Sequence, residues 1–224
     1  MTDNKDDKNQ NKNMNIDDLV NDLEPVKPMI SRSLAALIFI LLGYGIVFMI
    51  AFKIGFRHDI GMIFSMPKVL LQVTALFIAG LLAVFATFRL SCPQEEIDIT
   101  TKSMITISIL LITAVIFYCA GMGSPEEAQK LISKGLAYVR LKNVLLVSLA
   151  PLILMFIMMR KARPVHTSLI GLTSALAVSA MSVTACKMTC NIESLHANLL
   201  WHYGPIVVIA LIGFLVGKYV YKWK

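Results

Sequence analysis

Acidic residues are scarce in this chain and stay out of its apolar stretches. Of 14 Asp and Glu, seven lie within residues 1–24; the others are Asp59, Glu95, Glu96, Asp98, Glu126, Glu127 and Glu193, all between apolar runs. A carboxylate inside a bilayer is costly and marks an ion or proton path. Its absence argues against an ion-coupled transporter. Charge of either sign is low, at 16% of residues, whereas 57% are hydrophobic; a soluble domain carries about 25% charged residues. With a mean hydropathy of +0.71, the chain reads as an integral membrane protein.

Other signals are missing too. There is no GxSxG, HExxH, P-loop or GxGxxG, and the polar links are too short to build a separate active site, so no enzyme is expected. The first 30 residues hold no short apolar core with a cleavage site, so no signal peptide is expected. The four cysteines, Cys92, Cys119, Cys186 and Cys190, form no CxxC and no zinc-finger spacing with histidine.

What is present is a set of six apolar runs, at about 33–53, 67–89, 103–122, 142–159, 166–186 and 203–221. Each can cross a hydrocarbon core about 30 Å thick, which takes roughly 20 helical residues. The 21 Lys and Arg sit at the ends of these runs rather than in their middles. They are therefore read as membrane flanks, not as a nucleic-acid surface. Thirteen of them fall on the side of the N-terminus and eight on the other, which places both termini in the cytoplasm. The Arg160-Lys161-Ala162-Arg163 turn is the clearest inside marker. The fifth run is rich in small residues almost all round, from Ser168 and Gly171 to Ser182, which predicts a central, closely packed helix. Gly213 and Gly217 give the sixth run a GxxxG spacing. Trp201, Tyr203, Tyr219, Tyr221 and Trp223 are read as its interfacial anchors, and Pro151 as a kink in the fourth run.

Ahead of the first run lies a different kind of segment. Ile16, Leu19, Val20 and Leu23 recur at helical spacing, and Asp17, Asp18, Asp22 and Glu24 occupy the rest. Asn15 can cap this helix, and Pro25 and Pro28 end it. A stripe with an acidic back is disfavoured on an anionic inner leaflet; it suits a protein partner. On the outer side, Cys119, Cys186, Cys190, His58, Asp59 and His196 form a second candidate group, for signal sensing. A disulfide or a metal there stays open; no other cofactor is expected.

Several segments together resemble one family. Asp17–Pro28 is similar to its N-terminal "DDL…L…PV.P" signature, and Gly55–Ile60 to its "G.R.DL" after the first span. Leu145–Leu152 resembles its "LLSL.PL", and Cys190, Trp201-His202-Tyr203 and Lys222-Trp223 also fit. On these motifs the chain is identified as a member of the NrsF-type negative regulators of sigma factors. The resemblance implies an all-α membrane protein with six transmembrane helices and a short cytoplasmic N-terminal amphipathic helix. Residues 1–32 would be the sigma-binding tail and 33–224 the membrane domain. It implies an anti-sigma factor of a bacterial inner membrane that holds an extracytoplasmic-function sigma factor and frees it on an envelope, redox or metal signal. The partners would be that sigma factor and the lipid bilayer, with no direct nucleic-acid binding. The family also carries two cysteines that matter for the response. Cys190 matches the second; the region of the first reads Tyr138-Val139-Arg140-Leu141 and has no thiol. The rival readings are a small transporter or channel for a neutral solute, and a thiol-redox membrane enzyme acting through Cys186 and Cys190.

Overall fold

The computed structural model describes residues 31–56, 61, 65–92, 96–122, 136–160, 165–189 and 199–221. Six helices carry the chain: α1 (Arg32–Ile54), α2 (Pro67–Leu90), α3 (Ile99–Met122), α4 (Leu136–Arg160), α5 (Thr167–Thr189) and α6 (Gly204–Val220). All six are long and apolar enough to cross a membrane, and no strand occurs among the described residues. The amphipathic helix expected in the tail lies outside the described residues.

Local chemistry sets the helix ends. Ser31 caps α1, its Oγ accepting the Leu34 N–H at 3.3 Å, and α1 stops at Gly55, whose φ of 101° only glycine adopts freely. Proline at the first position of α2 loses no helical hydrogen bond there. Arg89 at the end of α2 pairs with Asp98 just before α3 at 3.3 Å. Two helices begin earlier than hydropathy suggests. Residues 99–102 add a polar first turn to α3, and α4 starts at Leu136 rather than near 142. Polar residues at a helix end lower the local hydropathy without breaking the hydrogen-bond ladder. Helix α4 runs on through Pro151.

Helix α5 is the hub. Its apolar window is 89% buried, against 22% for α3, and it packs on α1, α2, α4 and α6. Every residue from Thr173 to Lys187 is buried. Its hydroxyls bond to carbonyls one turn back, as in Ser174 to Ile170 at 2.6 Å and Ser182 to Val178 at 2.8 Å. These hydroxyls are thus satisfied within the helix, and all faces can pack closely. The tightest contact is with α6. Gly171 lies against the Gly213 backbone, and a Cβ on Gly217 would sit 2.7 Å from the Thr167 carbonyl oxygen. The GxxxG of α6 is therefore a true close contact. Outward faces carry large apolar side chains, including Leu41, Phe52, Phe117 and Leu215, all more than 60% exposed. An apolar surface of this kind belongs in lipid.

The helices alternate in direction. The near end of the bundle holds the starts of α1, α3 and α5; the far end holds their finishes, with the starts of α2 and α4 and the turn leading into α6.

A buried polar cluster at the far end of the bundle

Three helices and one turn contribute a polar side chain each to a single point near the far end. Gln72 is the sixth residue of α2, about 7.5 Å from its start at 1.5 Å per residue. Lys187 is in the last turn of α5. Tyr203 closes a π-helical turn, Leu199–Tyr203, that leads into α6. Cys119 is three residues from the end of α3. Their exposures are 1%, 6%, 0% and 0% respectively.

The geometry is specific. Lys187 Nζ donates to Gln72 Oε1 at 2.9 Å, and Tyr203 Oη donates to the same oxygen at 2.8 Å. An amide oxygen has two lone pairs, so Gln72 is fully used as an acceptor. The Lys187 ammonium also lies over the Tyr203 ring, 5.4 Å from its centroid, within range of a cation–π attraction. The buried Cys119 thiol lies beside Tyr203 and Lys187. A hydrogen bond to a charged group contributes about 1.5–3 kcal/mol, and the carboxyl end of α5 favours a cation in its last turn. These interactions offset part of the cost of removing an ammonium from water. An ionisable group held inside a membrane domain is a mark of function. π-helical turns are also concentrated at functional sites.

A second polar group lies deeper. Tyr44 of α1 is 7% exposed, and its hydroxyl has no hydrogen-bond partner among the described residues. It faces Gly80 of α2, where a Cβ would meet Tyr44 Oη at 3.2 Å and Ala180 of α5 at 3.5 Å. This is the point where α1, α2 and α5 touch.

A family model described as NrsF, negative regulator of sigma F, matches residues 19–223. The chain belongs to this family. No curated protein and no solved structure matches it. Membership makes the chain a negative regulator of a sigma factor, and its six apolar helices make it a multi-pass membrane protein. The NrsF family is a class of regulators, not of enzymes.

Of the sensing and partner-binding candidates read from the sequence, Cys119 and Cys186 are described. Both are buried, and Cys119 joins the cluster. Cys190, His58, Asp59 and His196 lie outside the described residues. So do Ile16, Asp17, Asp18, Leu19, Val20, Asp22, Leu23 and Glu24. Among the described residues, no three His, Cys, Asp or Glu side chains gather as metal ligands.

Two readings need correction. Lys187 was counted among the flanking bases, but it is buried and bonded. Tyr203 reads as an interfacial anchor, yet its exposure is 0%; Tyr219, 77% exposed, fits that part. His202, beside Tyr203 in the same turn, is also fully buried. The missed partner is Gln72, an amide standing alone in the apolar run Pro67–Leu90. A lone amide there needs a buried donor, and that was the available signal.

Proposed function

We propose that the chain is a membrane-bound anti-sigma factor that sequesters an extracytoplasmic-function sigma factor through its acidic N-terminal stripe. One observation carries this reading: the family match begins at Leu19, inside the stripe, and continues through the membrane domain. A sigma factor meets promoter DNA through basic surfaces. Asp17, Asp18, Asp22 and Glu24 offer such a surface complementary charge, and Ile16, Leu19, Val20 and Leu23 offer apolar area to bury. Tethering at Ser31 then confines the sigma factor to the bilayer.

In this reading both termini are cytoplasmic, the membrane is the bacterial inner membrane, and the far end of the bundle faces outward. An envelope, redox or metal signal arriving there frees the sigma factor. By sequence position the outward side carries His58, Asp59, Cys190 and His196; Cys119 and Cys186 are buried at the ends of α3 and α5.

The test is a sigma-dependent promoter fused to a reporter, in cells producing the full chain. Wild type represses the reporter, and the Leu19→Asp/Leu23→Asp variant restores expression at equal membrane abundance. Full repression by that variant would remove the stripe as the interface.

A further inference from the structure

We propose that Gln72, Lys187 and Tyr203 form a latch whose closed state holds the bundle in its sigma-retaining arrangement, and whose opening transmits the outer signal. The proposal rests on the reading above, that the chain releases a sigma factor in response to a signal at its far end.

The first argument is connectivity. Lys187 and Tyr203 bracket the link between α5 and α6 in sequence, residues 190–198, which carries Cys190, Glu193 and His196. Both bind one atom, Gln72 Oε1. The two residues that flank the link in sequence thus share a single acceptor on a third helix.

The second argument concerns where the helix pair can move. At the near end, α5 and α6 meet backbone to backbone at Thr167, Gly171, Gly213 and Gly217, with no side chain that could turn aside. At the far end they are joined through side chains that can rotate. The pair opens at the latch and pivots on the glycines.

The third argument is the route to the tail. Helix α1, whose first turn continues directly from the tail, packs on α2, α4 and α5. Gly43 abuts Met181 of α5, and Tyr44 abuts Gly80 of α2. A shift between α2 and α5, the two helices that the latch joins, bears on α1 directly. Packed interfaces of this kind switch between arrangements rather than deform smoothly.

The charge makes opposite perturbations available at one position. Gln72→Leu removes the shared acceptor, so the tie from α2 to Lys187 and Tyr203 is lost and the latch opens. Gln72→Glu keeps the shape and adds a carboxylate opposite the ammonium, so the latch tightens.

The readout independent of any sigma factor is Cys119, which is fully buried at the same end of the bundle. The experiment uses the full chain in native membranes, with Cys92, Cys186 and Cys190 replaced by alanine, and measures alkylation of Cys119 by N-ethylmaleimide. Gln72→Leu should raise the labelling rate by about tenfold, the factor that corresponds to 1.4 kcal/mol of lost closure. Gln72→Glu should lower it. The sigma-dependent reporter, measured in parallel on the otherwise native chain, should rise uninduced with Gln72→Leu and respond less to the signal with Gln72→Glu. If Gln72→Leu fails to accumulate, Gln72→Glu decides alone. Labelling that is unchanged, or that moves the same way in both variants, overturns the latch. Labelling that moves as expected without a reporter response keeps the latch mechanics but overturns its link to sigma release.

Discussion

Replacing Gly217 by alanine adds one methyl group to α6, and the structure places that carbon where there is no room. It would lie 2.7 Å from the Thr167 carbonyl oxygen and 2.9 Å from the Gly171 Cα, whereas ordinary contact begins at 3.4 Å. Both neighbours are backbone, so relief requires α5 and α6 to separate by several tenths of an ångström along their tightest contact. Overpacking of this kind costs about 1–3 kcal/mol. At roughly 2–4 °C per kcal/mol for a chain of this length, the melting temperature should fall by about 2–12 °C. The control is Gly45→Ala in α1, where the added carbon meets nothing within 4 Å. There the better helix propensity of alanine, up to ~1 kcal/mol, should leave stability equal or raised. Thermal unfolding of both purified variants in one mild detergent gives the comparison. Gly217→Ala melting with Gly45→Ala or above it would refute the close contact and, with it, the glycine pivot.

Two further substitutions test the interior. Tyr44→Phe removes a buried hydroxyl that has no partner among the described residues; an unsatisfied group costs about 1–3 kcal/mol, so the variant should melt higher, and a lower melting temperature would contradict the reading. Ser108→Ala deletes the 2.9 Å hydrogen bond from α3 to the Ala79 carbonyl of α2; bonds between helices in membranes average about 0.6 kcal/mol, so the drop should be small, and a loss comparable to that of Gly217→Ala would place the α2–α3 contact under different control.

The six spans were legible because hydropathy and length suffice to define them. The central place of α5 was legible because small residues on every face leave a helix no reason to seek lipid. The cluster at the far end was hidden by a positional ambiguity. Lys187 stands three residues before Cys190, at the edge of an apolar run, where a basic residue ordinarily faces water. Only packing shows that the last turn of α5 is covered by α2 and by the turn before α6. Tyr203 was misplaced for the same reason, since an aromatic at a span boundary usually marks the interface. The tail is a different case: its stripe and its acids are explicit in the sequence.

The central claim is that the tail's stripe retains a sigma factor at the membrane. The most direct measurement is sedimentation of a purified extracytoplasmic-function sigma factor with proteoliposomes containing the full chain. The account predicts that the sigma factor pellets with the wild-type chain and stays in the supernatant with Leu19→Asp/Leu23→Asp. Equal pelleting with both chains, or none with wild type, would contradict it.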